Sequence, residues 1–229
     1  MLTVGLLVEL EGLVVDTLGT RAGALHAALG AEGLSVPYEE VLRAHAGTSA
    51  ARALDLLGGA RALDDTGRML VLRRADDAAR RVFASAPPVA VPGAAEALER
   101  LAATHRVGVV TAAERELADE WLEATQLVAY VRALRSTHDL ERDARIDTWS
   151  DAARRVRLGL HASTPVLAVV PGADADDARA AGLHAVRARH DAALARLTDD
   201  VLDAILASAD TSLPNAVPHS HHPPHPRDP

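Results

Sequence analysis

The sequence predicts an α/β protein built on a five-stranded parallel sheet. Short apolar runs rich in valine and leucine recur along the chain, helical patterns separate them, and carboxylate or hydroxyl side chains follow several of the runs. Continuous apolar runs are typical of parallel strands buried on both faces, and strands that alternate with helices favour a sheet covered on both sides. The 229 residues, 48% of them apolar and 24% charged, suffice for one large globular domain.

Five segments are predicted as strands. Residues 3–10 (TVGLLVEL) form an apolar run that is too short for a helix and leads into a polar turn at Gly12. The further candidates are residues 106–111 (RVGVVT), 131–134, 165–170 (PVLAVV) and 184–187.

Helical patterns fill the segments between the strands. Residues 93–103 form a helical pattern that begins after a proline, and residues 148–157 and 173–181 repeat the apolar spacing of one helical face. Gly182 is predicted to end the last of these helices. Between the first two strands, residues 18–86 contain several helical patterns and no convincing strand, which predicts a helical insertion.

The composition excludes several classes of function. Cysteine is absent, so thiol nucleophiles, disulfides and thiolate metal sites are ruled out. All 24 basic residues are arginine, so no lysine Schiff base and no lysine–phosphate contact can form. The net charge of −8 repels nucleic acid and anionic membrane surfaces, and the 2% aromatic content leaves few side chains for base stacking. Neither nucleic acid nor a membrane is therefore expected as a partner.

The two ends of the chain differ in character. The apolar run at residues 2–8 is interrupted by Glu9 and Glu11, lacks a basic leader and is too short for a membrane span, so a cytoplasmic location is expected. Residues 214–229 (PNAVPHSHHPPHPRDP) hold six prolines and four histidines and are predicted to be disordered. The alternative is that this histidine-rich segment loads a metal or docks a partner.

Carboxylate and hydroxyl side chains follow three predicted strands, at the edge where parallel α/β sheets bind ligands. These residues are Glu9 and Glu11 after the first strand, Thr111 at the end of the second, and Asp174 after residues 165–170. Residues two apart on a strand share a face, so Glu9 and Glu11 could form the carboxylate pair of a general acid and base. The alternative is a pair of solvated acids where the strand ends.

The order of these elements resembles the haloacid dehalogenase-like superfamily, in particular its phosphatase and β-phosphoglucomutase-like subgroup with a helical cap. Residues 9–17 (ELEGLVVDT) fall in the register of the family's first motif, Asp-x-Asp-Gly-Thr-Leu-x-Asp-Ser/Thr. Residues 92–98 (PGAAEAL) and 177–183 (DARAAGL) look much like later segments of the family. The resemblance implies a Rossmann-like five-stranded parallel sheet of order 3-2-1-4-5 with an inserted α-helical cap.

The same resemblance implies a division into domains. Residues 1–17 and 87–208 would form the core domain, residues 18–86 the helical cap, and residues 209–229 the disordered proline- and histidine-rich tail.

The resemblance also assigns roles to the strand-end residues. In the family, one aspartate attacks phosphorus, a second is the general acid and base, a lysine neutralises the phosphoryl charge, and a later acidic residue helps to hold magnesium. Glu9 stands at the nucleophile position and Glu11 at the acid–base position. Thr111 lies where the family places a phosphate-directed hydroxyl. The magnesium-holding aspartate falls on Val170 or Pro171, and the lysine has no possible occupant.

Substitutes for the missing groups lie nearby in the sequence. Arg142 or Arg145 is near the expected lysine position and could supply positive charge, although a planar guanidinium does not reproduce an ammonium point charge. Glu9 and Asp174 are the remaining candidates for holding magnesium, which demands near-octahedral oxygen ligation at ~2.0–2.1 Å. The extra methylene of Glu9 displaces its carboxylate by ~1 Å, a misplacement that can cost ~100-fold in rate.

These departures predict a phosphatase-like pseudoenzyme. Its phosphotransfer site would be degraded, no cofactor would be needed, and the protein would act by binding, scaffolding or regulation on a small phosphorylated ligand or a protein partner. The alternative is a metal-dependent hydrolase of small phosphorylated metabolites. In that hydrolase Glu9 and Glu11 would do the chemistry, Thr111 and Arg145 would hold the phosphate, and magnesium would sit at Glu9 and Asp174.

Several of the remaining polar residues have simpler interpretations. Thr111 could cap the helix that begins at Glu114 instead of binding phosphate. The histidines His26, His45, His105 and His138 have no metal-ligand spacing and are predicted to be ordinary surface or boundary residues. The arginine pairs at residues 73–74 and 80–81, interleaved with two aspartates, are typical of a solvated, salt-bridged helix face. The alternative is that these arginines bind an anionic ligand.

Overall fold

The computed structural model describes residues 3–46, 48–137, 145–161, 164–170, 174–187, 194–198 and 201–202 of the chain, without the side chains of Arg145, Ile146, Asp174 and Ala195. The chain divides into two compact units, Met1–Leu197 and Thr198–Pro229. The sheet, its helices and the candidate site all lie in the first unit. The predictions for the tail at residues 209–229 lie outside the described residues, and the predicted domain boundaries remain a prediction.

Five parallel strands form a Rossmann-like sheet in the order β3-β2-β1-β4-β5, which confirms the predicted fold class and strand order. The strands are β1 (Gly5–Glu9), β2 (Arg106–Thr111), β3 (Ala133–Ser136), β4 (Val166–Val170) and β5 (His184–Arg187). All residues of β1 and β4 are buried, as expected of strands covered on both faces. The register pairs Gly5 with both Arg106 and Val166, so the carboxyl ends of the three central strands lie at one edge of the sheet.

Three strands, β1, β3 and β4, differ from their predicted bounds by one or two residues. β1 ends at Glu9 because the chain then turns back on itself, with the amides of Val14 and Val15 donating hydrogen bonds to the Leu10 carbonyl at 3.1 and 3.0 Å. β3 begins at Ala133, two residues later than predicted, because it pairs there with Gly108 of β2. Tertiary pairing therefore sets strand ends that the apolar runs mark only approximately.

Four helices occupy the segment between β1 and β2 that was predicted as a helical insertion. They are α1 (Leu18–Ala31), α2 (Tyr38–His45), α3 (Ala50–Leu56) and α4 (Asp65–Ser85), with a 3-10 turn at Gly58–Ala62. Two of them begin at side-chain caps: Ser49 accepts a hydrogen bond from the Arg52 amide, and Asp64 accepts one from the Gly67 amide. We call residues 18–85 the helical region; it buries an apolar core of its own.

α4, which runs for 21 residues, has two distinct faces. It buries Val71, Ala75, Ala79 and Phe83 on one side. The exposed side chains of Arg80 and Asp76 form an i,i+4 ion pair, which agrees with the predicted salt-bridged face. Among the described residues, none of the helices combines the length and the apolar character that crossing a membrane requires.

Four further helices accompany the remaining strands: α5 (Ala94–Thr104), α6 (Arg115–Ala124), α7 (Arg145–Arg157) and α8 (Asp174–Ala180). α7 begins three residues earlier than predicted. α8 ends at Ala180, one residue before its predicted end, and the predicted stop Gly182 follows two residues later with a φ of 76°, a left-handed conformation that favours glycine. A Cβ at Gly108 would lie 2.5 Å from Cγ2 of Val156, so glycine in β2 allows α7 to pack closely on the sheet.

The two connections between the sheet and the helical region lie side by side. The Asp16 amide donates to the Val89 carbonyl and the Val91 amide donates to the Val14 carbonyl, both at 2.9 Å. Val15 and Ala90 form an antiparallel bridge between these hydrogen bonds. The helical region is therefore attached through one short pair of strands that directly follows the turn after β1.

Candidate functional site at the end of the first strand

Glu9 and Glu11 are both buried. Glu9 is the last residue of β1 and is 1% exposed, because β1 is the central strand and lies between β2 and β4. Glu11 is 8% exposed in the turn that follows. The interpretation of these residues as two solvated acids is therefore wrong. A buried carboxylate requires a charge partner or several hydrogen bonds, so its surroundings determine what it can do.

Glu11 is held by Arg21, which the first turn of α1 supplies. Arg21 Nη1 donates a hydrogen bond to Glu11 Oε1, with 2.7 Å between the two atoms. The backbone amide of Arg21 donates a hydrogen bond to the Thr17 carbonyl. The side chains of Arg21 and Glu11 are 16% and 9% exposed, so the pair is largely withdrawn from water. Glu11 Oε2 is buried and has no hydrogen-bond partner among the described residues. The ion pair joins the end of β1 to the helical region.

His45, the last residue of α2, lies close to this ion pair. Burial, and after it the positive charge of Arg21, lower the pKa of His45 to about 4, while backbone hydrogen bonds and the charge of Glu11 partly oppose the shift. The imidazole is therefore neutral at pH 7. His45 and His105 are both buried, so the prediction of surface or boundary positions is wrong for these two residues. His26 is partly exposed and packs edge-on against Tyr38, and His138 lies outside the described residues.

Thr111 ends β2 at the same edge of the sheet and is fully buried. Its hydroxyl accepts a hydrogen bond from the Ala113 amide at 3.0 Å. α6 begins at Arg115 with Glu114 as its N-cap residue and no side-chain cap, so the proposed capping role of Thr111 is wrong. The Thr111 hydroxyl instead forms a hydrogen bond within the loop after β2, with the amide two residues later in the chain. Its suggested contact with phosphate remains a prediction.

A cleft of about 420 Å³ lies between the helical region and the loop after β2. Three arginines, Arg21, Arg73 and Arg80, line it. Arg80 Nη2 donates to Glu114 Oε2 at 2.6 Å, which links α4 to the residue before α6, whereas Arg73 has no ion pair among the described residues. The apolar lining residues are Ala50, Ala51, Leu72, Ala79, Phe83, Ala112, Ala113, Leu117 and Trp121. Among them, Phe83 and Trp121 pack edge to face with their ring centroids 5.0 Å apart.

Several solved structures share this architecture. A haloacid dehalogenase-like family hydrolase from Streptococcus pneumoniae matches with a TM-score of 0.66 and 13% identity, over 81% of this chain and 84% of its own. A protein described as a haloacid dehalogenase-like hydrolase from Bacteroides fragilis matches with a TM-score of 0.68 and 15% identity, over 88% and 93%. One described as a phosphoglycolate phosphatase from Lactobacillus plantarum matches with a TM-score of 0.67 and 14% identity, over 81% and 86%. The chain has the haloacid dehalogenase-like fold. No protein-family model and no curated protein matches the sequence.

The resemblance inferred from three sequence segments is thereby confirmed at the level of the fold. Within this haloacid dehalogenase-like fold, Glu9, Glu11 and Thr111 lie at the carboxyl edge of neighbouring strands, as predicted. α7 begins at Arg145 and α8 at Asp174, but the side chains of both residues, and all of Arg142, lie outside the described residues. The roles assigned to Arg145 and Asp174 therefore remain predictions.

The described residues of this haloacid dehalogenase-like chain do not fit magnesium. They contain no group of three or more histidine, aspartate or glutamate side chains that could hold a metal ion. Glu11 Oε1 already receives a hydrogen bond from Arg21. Val170, one of the two residues on which the resemblance places the magnesium-holding aspartate, is apolar and buried. Because magnesium requires about six oxygen ligands, a site with a guanidinium at hydrogen-bonding distance opposes it.

Arg21, the surroundings of His45 and the apolar lining of the cleft are the site features that the sequence did not reveal, whereas Arg73 and Arg80 belong to the arginine pairs already considered for an anionic ligand. Arg21 is an ordinary helical arginine ten residues after Glu11, and His45 is a single histidine on a short helix. Neither position carries a motif. Their significance arises because the fold brings the first turn of α1 and the last residue of α2 close to Glu11, and the sequence pattern contains no signal for that placement.

Proposed function

We propose that this chain is a catalytically impaired member of the haloacid dehalogenase-like superfamily, acting in the cytoplasm, that binds a small phosphorylated ligand in the cleft without hydrolysing it. The observation that carries the proposal is the ion pair between Glu11 and Arg21. It occupies the carboxylate that the family's chemistry uses as general acid and base. A protein partner in place of the small ligand is the alternative for the same surface.

Loss of catalysis is supported by the combined departures at the strand ends. Glu9 is longer than the aspartate it replaces, no lysine exists in the chain, and Glu11 is bonded to Arg21. Phosphoryl transfer depends almost entirely on positioning and on electrostatic stabilisation of the transition state. A site that lacks these elements together loses most of its catalytic power, even though its fold is retained.

Ligand binding is supported by the shape and chemistry of the cleft. Its volume of about 420 Å³ falls within the range of small-molecule sites, about 300–1,000 Å³. Arg73 offers a guanidinium that no carboxylate of the described residues neutralises, and guanidinium groups bind phosphate through paired hydrogen bonds. Phe83 and Trp121 provide an apolar surface for the rest of a ligand.

The first test is hydrolysis of p-nitrophenyl phosphate with and without 10 mM MgCl₂. We expect no magnesium-dependent turnover above that of the Glu9→Gln variant, because the site lacks the cation and nucleophile geometry for the reaction. Glu120→Gln, which changes an exposed glutamate on α6, serves as the matched control. Turnover that disappears in Glu9→Gln and with chelator, but persists in Glu120→Gln, would establish the metal-dependent hydrolase instead.

The second test is binding of p-nitrophenyl phosphate measured by isothermal titration calorimetry. Arg73→Gln is expected to weaken binding by about tenfold or more, because a hydrogen bond to a charged group contributes ~1.5–3 kcal/mol. Arg81→Gln is the matched control, since Arg81 lies on the same helix but lines a different groove. Equal affinity of the two variants for the ligand would show that the cleft is not the binding site.

A further inference from the structure

The end of β1 and the turn that follows it place two carboxyl side chains in buried positions. Glu9 and Glu11 are separated by one residue, and both are more than nine-tenths buried. Removing an ionised carboxylate from water is costly unless a positive charge or several hydrogen bonds compensate. A protein can supply that compensation with a bound cation or with one of its own side chains.

Arg21 supplies a compensating charge from within the chain. Its guanidinium contacts Glu11 Oε1 at 2.7 Å, and its position is set by the first turn of α1 through the hydrogen bond from its amide to the Thr17 carbonyl. The side chain is 16% exposed, so solvent screens the pair only weakly. Glu11 Oε2 remains buried without a partner among the described residues.

An arginine at this position and a divalent cation exclude each other. Both neutralise the same carboxylate, and a guanidinium at hydrogen-bonding distance repels a second positive charge. We propose that Arg21 is a built-in counter-ion that takes the place of a divalent cation beside Glu11, so that its guanidinium keeps magnesium from the end of β1. This role is independent of whether the cleft binds a ligand.

The proposal predicts that removal of the guanidinium creates a response to magnesium. In thermal unfolding, 10 mM MgCl₂ is expected to leave the wild-type midpoint unchanged and to raise that of Arg21→Met by at least about 3 °C, relative to NaCl at equal ionic strength. Calorimetric titration with MgCl₂ should show binding to Arg21→Met and none to the wild type. Arg43→Met, an exposed arginine of α2, is the matched control and should behave as the wild type does.

Other variants distinguish this role from general destabilisation. Arg21→Lys keeps a positive charge and should not respond to magnesium, and Arg21→Met/Glu11→Gln removes the carboxylate and should also lose the response. If Arg21→Met folds only when refolded from urea with magnesium, that result also supports the proposal. Magnesium binding by the wild type would overturn it. So would an Arg21→Met variant whose stability or refolding magnesium does not improve.

Discussion

Replacement of Arg21 by methionine, in the absence of divalent ions, is expected to lower the free energy of unfolding by about 3–5 kcal/mol. The side-chain stem is retained, but Glu11 is left buried without the guanidinium that now bonds its Oε1. The cost comes mainly from the uncompensated carboxylate, not from the lost hydrogen bond itself. Urea denaturation monitored by tryptophan fluorescence measures the change, since Trp121 and Trp149 are both buried in the first unit.

A double-mutant cycle compares the wild type, Arg21→Met, Glu11→Gln and the variant with both changes, and so isolates the interaction energy of the ion pair. Arg21→Met/Glu11→Gln carries no unpaired buried charge, and we expect it to be more stable than Arg21→Met alone. Arg43→Met should change the free energy of unfolding by no more than about 0.5 kcal/mol, as exposed substitutions usually do. A loss below about 1 kcal/mol for Arg21→Met would mean that the pair behaves as a surface ion pair. The sheet and the helical region would then be held together by other contacts.

Acidification is expected to destabilise the protein through His45. The pKa of this histidine is 6.5 when exposed and about 4 in the folded chain, mainly because of burial. Between these values the unfolded chain binds a proton that the folded chain does not, so the free energy of unfolding falls as the pH falls. The contribution of the neutral imidazole to the free energy of unfolding is fully present above about pH 7. Below pH 4, where both the folded and the unfolded chain bind the proton, no further stability is lost. A shift of this size corresponds to a loss on the order of 3 kcal/mol.

The His45 contribution can be separated from that of other groups by substitution. Urea denaturation of the wild type and His45→Asn is compared from pH 7.5 to pH 4.5, and the variant should lose less stability over this range. His26→Asn, a partly exposed histidine of α1, is the matched control and should retain the wild-type pH dependence. Identical pH slopes in the wild type and His45→Asn would show that His45 is accessible to protons in the folded state.

Much of the fold could be predicted from local sequence patterns. The continuous apolar run of β2 at residues 106–111 and the short run of β5 at residues 184–187 coincide with the observed strands. Burial on both faces of a parallel sheet leaves this signature in the sequence itself. The motif at residues 9–17 added the strand order, because the resemblance supplied a connectivity that apolar periodicity cannot encode. The observed β3 begins two residues later in the chain than the predicted strand, because its ends depend on pairing with β2.

The candidate site was predictable only in part. Glu9, Glu11 and Thr111 were identified because strand ends meet at one edge of a parallel sheet, which is a topological rule. Their environments were not predictable. The sequence is compatible with two solvated glutamates and with a Thr111 that caps α6. In the folded chain both glutamates are buried, and the Thr111 hydroxyl accepts a hydrogen bond from the Ala113 amide.

The sequence by itself determined the parallel sheet, the helical segment after its first strand, and the absence of any lysine or cysteine for chemistry. These features depend on residue type and on spacing along the chain. Only the tertiary structure decided that Arg21 neutralises Glu11, that His45 is buried and neutral, and that Arg73 faces a cleft. Charge interactions and burial depend on distances between side chains of separate elements, and these distances exist only once the helices have packed against the sheet.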